Sequence, residues 1–158
     1  MRFSRGFRGF WALLLVVAAD RFSKAWAARS LAGRGSVPAL PGLLNWHYAR
    51  NTGAAFSALS GRTGLLTLLT ALLLAGVCAW IILKRPGGLM RTGLWLVLAG
   101  GLSNLFDRAV YGYVVDFIEF AFVRFAIFNV ADVSICLGAG LVALAWWRTE
   151  RREAKEHG

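Results

Sequence analysis

Residues Gly64 to Leu83 form an apolar run without a charge, and this run most constrains how the chain can fold. A helix of about 20 residues is about 30 Å long, which matches the hydrocarbon thickness of a bilayer. The whole chain suits such an environment, because 58% of its 158 residues are hydrophobic and only 16% are charged. A soluble domain of this size is less apolar. The sequence therefore predicts an integral membrane protein.

Three further apolar segments are long enough to cross a bilayer when their polar ends are included. We therefore expect an all-α integral membrane fold, a bundle of four transmembrane helices in a single domain over residues 1–158. The expected spans are at about 7–28, 64–83, 92–108 and 130–147, with outer loops at about 29–63 and 109–129.

The basic residues indicate how the chain crosses the membrane. The net charge is +10, but the positive side chains lie at segment ends and form no patch with interleaved aromatics, so we expect no nucleic acid partner. They cluster before the first span, between the second and third, and after the fourth. The positive-inside rule makes these regions cytoplasmic. Both termini are then cytoplasmic, and both long loops are extracytoplasmic.

The N-terminal segment also has features of a secretory signal peptide, namely a basic start, an apolar run and an Ala25-x-Ala27 sequence. Against this alternative, Asp20 and Lys24 lie four residues apart on one helical face, where they can pair with each other or with the bundle. Cleavage would also remove a span and place two basic regions on opposite sides. We therefore predict a retained helix.

The first outer loop contains a strand pattern. Leu44, Trp46 and Tyr48 alternate with polar or small residues, which is typical of a half-buried strand, and a small extracytoplasmic sheet is expected. His47 belongs to this pattern and is interpreted as a surface residue. Since no second His or Cys lies at ligand spacing, we predict no metal site and no cofactor. Asn51 follows in a polar segment that leads into small residues, which let the backbone or a ligand approach closely. A plain turn before a helix is the alternative.

Polar residues concentrate where the helices end. Gly100, Asn104 and Arg108 follow one another at four-residue spacing, and Asp107 lies beside them. We interpret Asp107 and Arg108 as structural anchors. The alternating topology places the polar ends of all four helices at the outer boundary of the membrane. These residues are Asp20, Lys24, Asn51, Asn104, Asp107, Arg108, Asn129 and Asp132, with Asp116 in the loop on the same side.

Two acids that share such a site cannot both ionise easily, so the pair retains one proton. This is the chemistry of an aspartic protease dyad, in which one carboxylate activates water and the protonated partner polarises a peptide carbonyl. Asp20 has Lys24 nearby and Asp107 adjoins Arg108, so we expect both acids to remain ionised. Asp116 and Asp132 have no adjacent cation and form the better pair.

The segment between the third and fourth spans is rich in phenylalanine around Glu119 and Arg124. Such a segment belongs in the headgroup region, where it could cover a cleft as an interfacial helix or loop. An aromatic belt without a gating role is the alternative. Cys78 and Cys136 lie within apolar segments and are expected to pack as free thiols.

The chain resembles the lipoprotein signal peptidases, also called signal peptidase II, which are aspartic peptidases of the bacterial inner membrane. The resemblance extends over nearly the whole chain, and five motifs in one order carry it. They are Asp20-x-x-x-Lys24, Asn51-x-Gly53-Ala54-Ala55-Phe56, Gly100-x-x-x-Asn104-x-x-Asp107-Arg108, Gly112-x-Val114-Val115-Asp116-Phe117 and Phe128-Asn129-x-Ala131-Asp132.

The resemblance implies a four-helix membrane enzyme that removes signal peptides from prolipoproteins, cutting before the diacylglyceryl-modified cysteine. It implies catalytic roles for Asp116 and Asp132, and globomycin as an inhibitor. Membrane lipids are further partners, and a monomer is expected. Supporting or substrate-contacting positions are implied at Asp20, Lys24, Asn51, Gly53, Gly100, Asn104, Asp107, Arg108 and Asn129.

Two features depart from the family pattern. Ala126 occupies a place where a proline often precedes the last motif, and the segment between the two catalytic acids is short. Both departures concern the shape of the interfacial loop.

Two other functions fit a membrane protein with polar helix ends. A small proton- or ion-coupled transporter would also contain intramembrane acids, although such proteins usually have internal repeats and broken helices, which this sequence lacks. A non-catalytic assembly subunit would tolerate the loss of either Asp116 or Asp132.

Overall fold

The computed structural model describes residues 3–53 and 61–156 of the chain. Ala54, Ala55 and Phe56 of the second motif lie outside these residues. The described helices are α1 (Phe3–Ser30), α2 (Thr63–Lys84), α3 (Gly88–Tyr111) and α4 (Val130–Glu156). The strands are β1 (Ser36–Leu40), β2 (Leu44–Asn51) and β3 (Val114–Phe120).

Three of these helices, α2, α3 and α4, are long and apolar enough to cross a membrane. The prediction of a membrane protein agrees with this finding, but the expected four spans are found for three helices only. α1 has 28 residues and contains Asp20, Arg21 and Lys24 in its second half. These charges lower the hydropathy of a helix that is otherwise long enough.

α3 and α4 pack antiparallel and in close contact. Gly93 lies opposite Gly138, and a Cβ atom added to either glycine would be 2.6 Å from the carbonyl oxygen of the other. Gly100 lies against Ala131 in the same way, so a Cβ atom there would overlap the Ala131 carbonyl oxygen. Small residues allow such backbone contact between helices. The glycines therefore place the beginning of α4 directly against α3.

α1 lies parallel to α3. Near its beginning Gly9 contacts Trp95, and three turns later Asp20 accepts a hydrogen bond from Ser103 at 2.5 Å. α2 packs against α3 through Leu74, which contacts Gly101. Most other side chains of α2 are exposed, although the helix is strongly apolar.

The three strands form one antiparallel sheet in the order β1-β2-β3, so the prediction of a small sheet is confirmed. β2 contains the alternating pattern that predicted a strand, and it carries an irregularity between Trp46 and Ala49. The sheet packs on the end of α1, where Trp46 lies 5.3 Å from Trp26 between ring centroids. This contact fixes the sheet above the helical bundle.

The expected interfacial element is a strand and a loop. Between Tyr111 and Val130 the structure contains β3 and non-helical turns, without a separate helix. Val114 to Phe120 is rich in β-branched and aromatic residues, which favour pairing with β2 over helix formation. The loop then returns to β3, where the Phe128 N–H donates to the carbonyl oxygen of Ile118 at 3.0 Å. Of the expected interfacial helix or loop, residues 121–129 therefore form a loop.

Candidate active site

The first turn of α4 is stabilised by a reciprocal cap. The side-chain oxygen of Asn129 accepts a hydrogen bond from the backbone N–H of Asp132 at 2.9 Å. In return, Asp132 Oδ2 accepts from the backbone N–H of Asn129 at 3.1 Å. This is a capping box with aspartate at the third helical position. The sequence Asn129-x-x-Asp132 therefore begins the helix and also holds the Asp132 carboxylate in place.

Three asparagine side chains bring N–H donors to Asp116 and Asp132. Asn129 Nδ2 donates to Asp116 Oδ1 at 2.6 Å, and Asn51 Nδ2 donates to Asp116 Oδ2 at 2.9 Å. Asn104 Nδ2 donates to Asp132 Oδ1 at 2.8 Å. Together with the Asn129 backbone N–H, each of the four carboxylate oxygens thus accepts one hydrogen bond. A second lone pair on each oxygen remains for another ligand.

Asp116 and Asp132 line one cavity of about 540 Å³, which lies among α3, α4, β3 and the loop after β3. Asn51, Asn104 and Arg108 add polar groups to its wall. The rest of the lining is mostly apolar and consists of Val114, Phe120, Phe125, Ala126, Ile127, Phe128, Val133, Ile135, Cys136 and Leu137. The cavity therefore joins a carboxylate pair to an apolar surface.

Burial changes the protonation of Asp116, whose side chain is only 3% exposed. Loss of hydration, followed by the charge of Asp132, raises the pKa of Asp116 from 3.8 to about 6. The hydrogen bonds from Asn51 and Asn129 act in the opposite direction because they favour the carboxylate. Asp116 therefore takes up a proton more readily than an ordinary aspartate.

The other two acids at this level are neutralised by cations. Lys24 Nζ lies 2.7 Å from Asp20 Oδ2 and 2.8 Å from Asp107 Oδ2, and all three side chains are buried. Arg21 also pairs with Asp107. Asp20 further accepts the backbone N–H of Ala131 at 2.8 Å, at the positive end of α4. These acids hold α1, α3 and α4 together.

The predicted pairing of Asp107 with Arg108 is wrong. Arg108 donates instead to the Gly53 carbonyl oxygen at 3.0 Å, because neighbouring residues of a helix point in directions about 100° apart. The prediction that Asp20 pairs with Lys24 is correct.

Two residues that bind the buried acids Asp20 and Asp107 were missed by the sequence analysis. Arg21 supplies the second cation for Asp107, and Ser103 donates to Asp20. Each immediately neighbours a residue of a polar motif, which is the signal that could have identified them.

The remaining predicted residues lie as follows. The Gly53 N–H donates to Asn51 Oδ1 at 2.9 Å, which closes a turn at this position. His47 lies on the sheet, 3.2 Å from Glu119, whose pKa is lowered mainly by a hydrogen bond from Ser36. Cys78 and Cys136 are free. Within residues 3–53 and 61–156, no group of three His, Cys, Asp or Glu side chains could hold a metal ion.

These features define a class, a helical membrane protein with a paired-carboxylate cavity beneath a small sheet. Comparison with known proteins is more specific, since residues 12–148 match the family model described as signal peptidase (SPase) II. The chain belongs to the signal peptidase II family, and the resemblance seen in its motifs is confirmed.

Relatives named lipoprotein signal peptidase match most of the chain. The protein from Shewanella loihica is 41% identical over 93% of this chain and 90% of its own length. The protein from Gloeobacter violaceus is 34% identical over 90% of this chain and 84% of its own length.

Solved structures agree in fold. One described as a bacterial membrane enzyme, determined by the in meso method at 2.3 Å resolution, has a TM-score of 0.84 and 30% identity. It covers 89% of this chain and 88% of its own chain. A second, at 1.9 Å resolution, has a TM-score of 0.80 and 31% identity over 88% of this chain and 92% of its own.

Proposed function

We propose that this chain is an aspartic endopeptidase that removes signal peptides from diacylglyceryl-modified prolipoproteins and cuts before the lipidated cysteine. Membership of the signal peptidase II family supports proteolysis, and the relatives named lipoprotein signal peptidase support the substrate class. Asp116 and Asp132 are the proposed catalytic residues.

One observation carries this assignment. Asp116 and Asp132 line the same cavity and accept hydrogen bonds from amide groups, whereas Asp20 and Asp107 are bound to cations. Within the described residues, neither Asp116 nor Asp132 forms an ion pair. A carboxylate without a bound cation can exchange a proton with water, since no salt bridge must break first.

The proposed reaction uses a dyad that holds one proton. The ionised carboxylate takes a proton from water while the water oxygen bonds to the scissile carbonyl carbon, and the protonated carboxyl donates its proton to the carbonyl oxygen. When the C–N bond breaks, the leaving nitrogen takes the proton that came from water. The other carboxylate recovers a proton from the tetrahedral hydroxyl group. Both acids then regain their initial states.

The cavity suits a lipidated peptide. Its apolar wall along Val133, Cys136 and Leu137 lies on an exposed side of α4, and acyl chains from the bilayer can pack there. Arg108 and Asn51 lie in the polar part, where we expect them to contact the peptide backbone. A globomycin-type cyclic peptide would occupy the same space.

We further propose that α1 is a fourth span, in one membrane domain. α1 runs parallel to α3 from the Gly9–Trp95 contact to the Lys24–Asp107 contact, so it crosses the same depth as a candidate span. Pairing of its charges within the bundle allows this. By the positive-inside rule, both termini lie in the cytoplasm and the dyad lies at the outer face of the bacterial inner membrane. We expect a monomer.

The test is cleavage of a diacylglyceryl-modified prolipoprotein by purified enzyme in detergent. Asp116→Asn and Asp132→Asn should each lower the cleavage rate by more than about a hundredfold, the usual contribution of acid–base catalysis, and leave thermal unfolding cooperative. Glu119→Gln is the matched control, because Glu119 lies on the same strand as Asp116 and does not line the cavity. It should cleave at the wild-type rate.

Wild-type cleavage by either aspartate variant would remove the dyad from the mechanism. A wild-type chain that does not cleave, while it transports protons in vesicles in a manner that depends on Asp132, would favour the transporter alternative.

A further inference from the structure

The three asparagines that donate to the dyad have a common requirement. An asparagine amide has a donor end and an acceptor end, and rotation by half a turn about its last bond exchanges them. For Asn51, Asn104 and Asn129, the donor end must face a carboxylate. A rotated amide would direct its oxygen at a carboxylate oxygen and repel it.

Backbone N–H groups fix two of these amides. The oxygen of Asn51 accepts from the Gly53 N–H at 2.9 Å, and the oxygen of Asn129 accepts from the Asp132 N–H at 2.9 Å. A backbone N–H can only donate. In a rotated amide the NH2 group would therefore face the backbone N–H, donor against donor, and the oxygen would face the carboxylate, acceptor against acceptor. These two orientations follow from the turn at Gly53 and the cap of α4.

Side chains fix the third amide, whose oxygen faces Lys24 at short distance and the Asn129 amide nitrogen at 3.3 Å. Asn104 Oδ1 lies 2.8 Å from Lys24 Nζ, and the Asn104 amide nitrogen lies 2.8 Å from Asp132 Oδ1. A lysine ammonium has three donors and no acceptor, so it binds only the oxygen end of the amide. Lys24 thereby directs the amide N–H of Asn104 at Asp132.

Lys24 itself is held rigidly. Its side chain is 2% exposed, and its ammonium lies within 2.8 Å of acceptor oxygens on Asp20, Asp107 and Asn104. The two carboxylates pair with the ammonium and hold it in one position. The lysine therefore presents a donor to Asn104 at a fixed position, as a backbone N–H does for Asn51 and Asn129.

We propose that Lys24 is a positioning residue for peptide cleavage, whose ammonium locks the Asn104 amide in the orientation that donates to Asp132. The proposal rests on the catalytic role proposed for Asp132. It gives the buried lysine a function beyond neutralising Asp20 and Asp107, and it makes α1 part of the catalytic apparatus.

The experiment compares Lys24→Met with Arg21→Met. Both variants remove a cation beside Asp107, but Arg21 does not contact Asn104. For cleavage of the lipidated prolipoprotein, Lys24→Met should lower kcat about tenfold or more with little change in KM. The reason is that the Asp132 carboxyl group loses the aligned N–H donor of Asn104. Arg21→Met should retain kcat near the wild-type value. Lys24→Arg, which keeps an obligate donor, should recover most of the lost kcat.

One further variant, Asn104→Asp, extends the test to the case in which Lys24→Met does not fold. Asn104→Asp retains an acceptor for Lys24 but has no N–H for Asp132, so kcat should fall while the folded protein is recovered. Wild-type kcat in Asn104→Asp, or equal kcat losses in folded Lys24→Met and Arg21→Met, would overturn the proposal. The proposed function is judged separately, by whether the wild-type enzyme cleaves and Asp132→Asn does not.

Discussion

Four aspartates lie at one end of this bundle, and they form two pairs with different environments. Asp20 and Asp107 are fully buried and bound to Lys24, with Arg21 as a second cation for Asp107. Asp116 and Asp132 line a cavity and accept hydrogen bonds from amides. The first pair is electrically neutralised, whereas the second pair forms no ion pair within the described residues.

The difference shows how one cluster can serve both stability and chemistry. A carboxylate bound to a buried cation joins the helices that contribute the partners. A carboxylate held by neutral amide donors is oriented without a salt bridge. The neutralised pair is connected to the other pair through Lys24 and Asn104, so stability and orientation share one network.

The largest expected difference between the two pairs is in stability, and it is tested by removing an acid that is paired with cations. Asp107→Asn leaves Lys24 and Arg21 with one carboxylate fewer, and breaking a buried ion pair usually costs about 3 kcal/mol or more. We expect a clearly lower unfolding temperature in detergent, with residual cleavage in the folded fraction. Asp132→Asn should unfold near the wild-type temperature without cleaving. An inactive but fully stable Asp107→Asn would place Asp107 among the catalytic residues.

A second prediction concerns the packing that presents Asp132. In Gly100→Ala the new methyl group would overlap the Ala131 carbonyl oxygen and lie 2.8 Å from Ile135 Cγ1. Overpacking of this kind costs about 2 kcal/mol, and displacement of the α4 terminus should also slow cleavage. Gly140→Ala is the control, since a Cβ atom there meets nothing within 4 Å. Thermal unfolding and cleavage rates of both variants decide the point, and equal behaviour would contradict it.

The smallest predicted effect is a pH dependence of stability. The folded pKa of Asp116, about 6, lies above its ordinary value of 3.8, so between these values the folded state binds more protons than the unfolded state. Stability should therefore fall as the pH rises from about 5 to about 7, by about 1 kcal/mol from this group. Chemical unfolding of wild type and Asp116→Asn at both pH values measures it. An unchanged pH dependence in Asp116→Asn would assign the effect to another group.

Much of the site follows from the order of residues along the chain. The charge-free run at 64–83 requires a membrane span because no soluble surface accommodates it. Alternation of the spans then brings their polar ends to one level. Local periodicity also indicated β2. These predictions depend on periodicity and short spacing, which the sequence contains directly.

Other features depend on contacts between distant residues. The segment Val114–Phe120 becomes a strand because β2 offers a free edge, and a phenylalanine-rich sequence alone does not specify that partner. Arg108 contacts Gly53 instead of Asp107 because side-chain direction is set by the helix and not by sequence proximity.

The sequence by itself determined that polar residues gather at one end of an apolar bundle, because hydrophobic length and helical period are properties of the chain alone. Only the tertiary structure decided which cations meet Asp107 and which amides meet Asp116 and Asp132. That choice depends on the close approach of α1, α3 and α4, where atoms more than 80 residues apart come within hydrogen-bond distance. A rotation of one helix by a single residue, about 100°, would separate these partners.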